Sequence, residues 1–244
     1  MPNSAPNPMA GQPLVEAHFI ERPNRFLTRV RVDGVGEMME AHLPDPGRLK
    51  ELLLPGARCW VQPAEPSSTR RTRWTLVMVE SPEGGELVSL DTTLPNRLAG
   101  AALEAGTLEE FSGWTLERRE FPVGRSRLDF LLAHPDGRKL ALEVKSVTLV
   151  EGGVARFPDA VTARGARHVE ELGEIARQPG WEAAVLFICQ RRDARRIEAA
   201  RAIDPHFADT LAAAEAAGVR ICGRRCRVTL EGVELLEAIP AEVG

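Results

Sequence analysis

The sequence has no tyrosine, and aromatic residues make up only 5% of it. A chain so poor in flat rings has few platforms for stacking bases, so contact with nucleic acid would fall mainly on the phosphate backbone and read sequence weakly. A positive balance is missing as well. Lys and Arg number 31 against 35 Asp and Glu, a net charge of −4 with histidine neutral, which argues against a polyanion binder that works through overall charge. No run of about 18 apolar residues is present to span a bilayer. The opening MPNSAPNPMAGQP has neither the basic start nor the apolar stretch of a secretory signal. These absences predict a cytoplasmic protein with no membrane partner. Cysteine is scarce, with four residues. Cys59 and Cys189 stand apart, and Cys222 and Cys226 in CGRRC lack the second Cys or His pair that a zinc site needs, so all four are expected to be reduced and structural.

What is present supports a sizeable core: 244 residues, 43% of them hydrophobic. Arginines gather at 70–73, 191–201 and 220–227, a pattern compatible with local basic faces and equally with solvated surface. Residues 1–13, rich in Pro, Asn and Ala, are expected to be disordered. From 14 to 82, five short strand-like segments (LVEAHFIERP, RFLTRVRV, EMMEAHL, ARCWVQPA and RWTLVMVES) lie between Gly, Pro and Asp turns. That density predicts a small barrel, an OB-fold or an SH3-like barrel, with the OB-fold the commoner binder of nucleic acid. Within it LPDPGRLKELLLPG reads as a turn feeding a short helix start beside Arg48, either an ordinary turn or a place to hold a phosphate.

Longer mixed elements fill residues 83–244. They run helix (to Gly106), three strands, helix (capped by Asp159, stopping before Pro179), strand, helix, strand. The apolar run AAVLFICQ has the signature of a central strand buried on both faces. One stretch, RSRLDFLLAHPDGRKLALEVKSV, places Asp129, Glu143 and Lys145 where valine or leucine would be less costly. Ionised groups at the edge of a core need partners, a metal or water. Period-2 alternation puts Glu143 and Lys145 on one face, and the HPDG hairpin brings Asp129 beside them. Two carboxylates and a lysine on one sheet edge suit hydrolysis. Asp129, Glu143 and the Val144 carbonyl would hold Mg²⁺ or Mn²⁺, while Lys145 orients or deprotonates the attacking water. By itself Asp…Glu-x-Lys is a weak pattern, and a surface ion pair between Glu143 and Lys145 explains it too.

The order of these elements resembles the PD-(D/E)xK nuclease superfamily, with Leu128 in place of its proline. The segments PDPGRL, LPNRL, RSRLDFLL, LEVKSVTLV and FPDAVTARGARHVEEL resemble the sugar fermentation stimulation protein A family over nearly all of the chain after the tail. That resemblance implies a mixed α/β protein, with an OB-fold at 14–82 followed by a PD-(D/E)xK restriction-endonuclease-like domain at 83–244. It also implies DNA binding and a part in maltose metabolism. The expected activity is metal-dependent hydrolysis of phosphodiester bonds in DNA or RNA with low sequence specificity; the alternative is a non-catalytic DNA-binding regulator. Further candidates for the site are Glu120, which Arg118 or Arg125 would otherwise pair, and Arg164 and His168, four apart on one helix face. His168 reads equally as a satisfied, half-buried histidine. Relatives often carry a glutamate where this chain has Ala101, so this chain does without that carboxylate or uses Glu104. Arg48, Asn96, Arg97 and Arg127 are the expected contacts to phosphate.

Overall fold

Alternation builds the first sheet: along Leu27–Val32 (β2), Thr28, Val30 and Val32 are buried while the residues between them are partly or fully exposed. The computed structural model describes residues 13–64, 69–124 and 126–243; the expected tail at 1–13 lies almost wholly outside them. Val15–Asn24 (β1) pairs antiparallel with β2 and with Arg58–Pro63 (β4), and β2 pairs with Met38–His42 (β3). β4 pairs with Trp74–Glu80 (β5), and a parallel pairing of Ala41 with Trp74 closes β3 onto β5. The result is a closed five-stranded barrel around Val30, Ala41, Val61 and Leu76. Leu87–Ser89 (β6) adds to β5, so the barrel's sheet runs past the division expected after residue 82.

The segment Leu43–Gly56 forms turns instead of the expected helix start. Leu49 sits at φ 49°, which a right-handed helix cannot accommodate.

The second sheet has the order Val233–Ile239 (β15), Arg220–Val228 (β14), Trp181–Cys189 (β12), Lys139–Val147 (β9), Ser126–Ala133 (β8), Thr115–Val123 (β7). β9 runs parallel to β12 and antiparallel to β8. Both faces are covered. Ala184, Leu186 and Ile188 of β12 face Leu94–Glu104 (α1), whereas Ala183, Val185 and Phe187 face Ala163–Ala176 (α2) and Pro205–Ala216 (α3). This explains the unbroken apolar run. The expected third strand stops at Val147. Leu149–Glu151 (β10) and Val154–Phe157 (β11) then form a separate hairpin, turned by Gly152 and Gly153 at φ 58° and 81°. That hairpin joins Arg196–Ala199 (β13) and Ala241–Glu242 (β16) in a small third sheet.

Barrel and second domain share one core: Trp60, Val77 and Met78 pack with Leu98, Phe130, Leu142 and Leu186. Polar ties reinforce it. The buried Arg191 donates to Ser81 Oγ at 3.0 Å, and the Arg48 N–H donates to Asp159 Oδ2 at 2.8 Å. No helix among the described residues is long and apolar enough to cross a membrane.

Candidate active site

β8 and β9 pair as far as Phe130 opposite Leu142, and there the ladder ends. Asp129, the next residue of β8, fills the gap with its side chain: Oδ2 accepts the Val144 N–H at 2.8 Å. In an extended strand one residue's N–H and C=O face the same neighbour, so the Val144 carbonyl opens toward Asp129 as well. Glu143 lies on the α2 side of β9, in phase with Ala141 and Val147, which belong to that core.

The two oxygens of Glu143 have different fates. Oε1 accepts from Lys145 Nζ at 2.6 Å and from His168 Nδ1 at 2.5 Å. Oε2 is buried with no partner among the described residues. Arg164 Nε donates to His168 Nε2 at 3.5 Å, which leaves the ring proton on Nδ1, directed at Glu143. The pair expected as a possible surface contact is interior, with the Glu143 and Lys145 side chains only 6% and 11% exposed.

Burial pushes the Asp129 carboxyl up to about 6, with the Glu143 charge adding to the rise and the Val144 N–H and Lys145 opposing it. Burial also works against ionised Glu143, but His168 and Lys145 outweigh it and hold the group below the usual carboxylate range. Two adjacent carboxyls thus have their proton affinities driven apart, a property that clusters at functional sites.

Among the described residues no group of three or more His, Cys, Asp or Glu side chains is arranged to hold a metal ion. The donors on offer are instead Asp129, Glu143 and the Val144 carbonyl. This all-oxygen set suits Mg²⁺, which keeps several waters and takes one or two carboxylates. The buried, unpartnered Oε2 fits a cation ligand and would be costly as anything else.

Other expected residues are placed differently. Glu120 has φ 50° and stands between the register pairs Arg119–Phe130 and Phe121–Leu128, opposite Asp129. Its carboxylate pairs in solvent with Arg127 at 3.2 Å, and not with Arg118; Arg125 lies outside the described residues. Arg97 is held by Asp91 at 2.5 Å, Asn96 is half-buried on α1, and Glu104 pairs with Arg119 at 2.9 Å, so α1 brings no carboxylate to Asp129. Asp159 does not cap α2. Thr162 does, accepting from the Gly165 N–H at 3.1 Å, while Asp159 is turned to the barrel by the Arg48 N–H. Sequence reasoning missed Gln190, fully buried at the end of β12, whose Nε2 donates to Ser146 Oγ at 2.9 Å beside Lys145. A lone amide ending an apolar strand was its signal.

A closed β-barrel joined to an α/β sheet with an Asp–Glu–Lys edge defines an OB-fold coupled to a restriction-endonuclease-like domain. Residues 20–90 match the SfsA N-terminal OB domain, and residues 93–232 match the sugar fermentation stimulation protein RE domain. The chain belongs to the sugar fermentation stimulation protein family. It is 46% identical to the homolog of Shouchella clausii, covering 95% of this chain and 98% of the relative. It is also 46% identical to that of Moorella thermoacetica, covering 93% and 95%. The structure of Pyrococcus furiosus SfsA in complex with Ca²⁺ superposes with a TM-score of 0.83 at 31% identity, covering 97% of this chain and 99% of that one.

Proposed function

We propose that this protein is a metal-dependent nuclease that binds DNA, with RNA as a second substrate, and hydrolyses phosphodiester bonds with little sequence selectivity. The observation that carries this reading is the division of Glu143: one oxygen is clamped by Lys145 and His168, the other is buried without a partner, and Asp129 is close enough to feel the Glu143 charge. Asp129, Glu143 and the Val144 carbonyl would hold Mg²⁺ or Mn²⁺. The ion, when bound, supplies positive charge against the phosphate and eases ionisation of the attacking water. A solved relative in complex with Ca²⁺ supports a divalent cation in this fold.

The remaining work falls to the chain's own groups. Lys145 spends one N–H on Glu143 and has others to orient the water or to meet a phosphate oxygen. His168 and Arg164 are positioning residues that fix the Glu143 rotamer. A protein that only bound DNA would gain nothing from two carboxylates that repel phosphate. The barrel grips substrate, and the free, largely buried cysteines fit a protein of the reducing cytoplasm.

The test is an assay of labelled single- and double-stranded DNA and RNA with Mg²⁺, Mn²⁺ or EDTA, comparing wild type with Glu143→Gln. Cleavage that needs metal and is lost in the variant is expected. Equal cleavage by both proteins would refute the reading.

A further inference from the structure

Most arginines are already neutralised. The rich segments of the second half are consumed by pairs such as Arg191–Asp193, Arg192–Glu86, Arg224–Glu110 and Arg225–Glu237. Arg25, Arg48 and Lys50 are among those whose side-chain nitrogens have no carboxylate of the described residues within 4.0 Å, although the main-chain N–H of Arg48 is taken by Asp159. All three line one groove of about 410 Å³, together with Arg22, Gly47 and Val161. Unneutralised cations converging on a concavity, in a chain of net charge −4, call for an anionic occupant.

The groove is built before any occupant arrives. Arg22 donates to the carbonyls of Gly47 at 2.6 Å, Arg48 at 2.9 Å, Arg25 at 2.7 Å and Asp45 at 3.2 Å, and so ties the β1–β2 turn to the Pro44–Arg48 segment. Phe26, next to Arg25, gives its carbonyl to the N–H of Leu43, which opens that same segment, yet remains 52% exposed. Beside the groove, in a barrel whose Phe19 and Trp60 are buried and whose Trp74 is half-buried, the exposed ring of Phe26 is a place for a base to stack.

Pro46 and Gly47 of the groove also line a second concavity that reaches Ser146, the residue after Lys145. Val161 on its wall stands two residues before α2, and His168, the partner of Glu143, is the sixth residue of that helix. Arg164 lies between them.

We propose that this groove takes a single-stranded stretch of nucleic acid on its way to Asp129 and Glu143, with phosphates against Arg25, Arg48 and Lys50 and one base stacked on Phe26. A duplex keeps its bases stacked inside and offers nothing to that ring. The direction of the strand rests on the nuclease reading; the binding does not.

The experiment measures anisotropy of labelled oligothymidine, a blunt duplex and the same duplex with an oligothymidine tail, in EDTA so that nothing is cut. Phe26→Ala should bind the single strand and the tailed duplex about tenfold more weakly, or worse, and the blunt duplex as wild type does. Phe26→Leu, which keeps most of the apolar bulk without the π-face, should show the same pattern, and melting temperatures serve as the folding control. Arg48→Ala with Lys50→Ala should flatten the log–log salt slope on single strands by about 0.7 per lost contact. Unchanged single-strand affinity in Phe26→Ala, or an equal loss on the blunt duplex, overturns the assignment. A wild type that shows this pattern but never cuts leaves the groove in place and removes the nuclease. A metal-dependent nuclease indifferent to Phe26 does the reverse.

Discussion

Glu143 divides two tasks between two oxygens, and its neighbours decide whether that division holds. Removing His168 leaves Oε1 with Lys145 alone, so the carboxylate is free to turn. His168→Ala is expected to lower metal affinity or cleavage about 10–100-fold, with substrate binding in EDTA unchanged; calorimetry and rate measurements on one preparation check it. Asp129 gives the site its pH dependence. Burial pushes its carboxyl up to about 6, and it must lose its proton to act as a ligand. Affinity for Mn²⁺ should therefore fall about tenfold per unit below pH 6 and level off above about 7, as titrations at pH 5, 6 and 7.5 would show. A flat profile would mean that Asp129 is not a ligand. At this scale Asp129, Glu143 and Lys145 were legible because strand alternation and a four-residue hairpin fix their relation within 17 positions. The role of Asp159 was not, because its partner is 111 residues away in the barrel. Nor was the left-handed backbone of Glu120, which no local residue preference announces.

At the scale of elements, alternating strands were easy to recognise and irregular segments were not. β2 follows period 2, whereas β4 and β5 are buried on both faces, between the barrel core and the shared core, and the buried run of β12 likewise feeds two cores. The expected third strand runs from Lys139 to Val150 and so takes in the start of β10, because only Thr148 separates β9 from it. The Pro44–Arg48 segment is a turn as expected, held by one local contact and one distant side chain, but no helix follows it. Asp45 takes the Gly47 N–H at 2.7 Å, and Arg22 takes the carbonyls. That segment carries a measurable cost. Burial pushes Asp45 up to about 6, whereas an unfolded aspartate titrates near 3.9, so between these values the folded chain keeps a proton that the unfolded chain has released. Stability is then lost as pH rises, by about 1.4 kcal/mol per unit and on the order of 3 kcal/mol by pH 7. Asp45→Asn keeps an acceptor for Gly47 and has no charge to bury. Urea unfolding in EDTA should show it close to wild type near pH 4 and more stable above pH 6.5; a gap that narrows with rising pH would contradict this assignment.

For the whole molecule, the two domains are one structural unit. Trp60, Val77 and Met78 of the barrel complete the core beneath α1, and the buried Arg191 crosses between the domains. Intact protein should therefore unfold in a single calorimetric transition, and removal of the barrel should expose an apolar face and yield an aggregating fragment. Two separated transitions would show that the domains are independent. The pattern of strands and turns made the division into a barrel and an α/β domain legible; their fusion is marked only by the unbroken buried run LVMV of β5, which serves both cores. The central claim is that Asp129 and Glu143 hold a divalent cation used to cut nucleic acid. Its most direct test is the rate of cleavage of a labelled DNA against Mn²⁺ concentration for wild type, Asp129→Asn and Glu143→Gln, each shown to bind the DNA in EDTA. The account predicts a saturating metal dependence for wild type and no cleavage by either variant at any Mn²⁺ concentration, with DNA binding kept. Variants that follow the wild-type curve would contradict it.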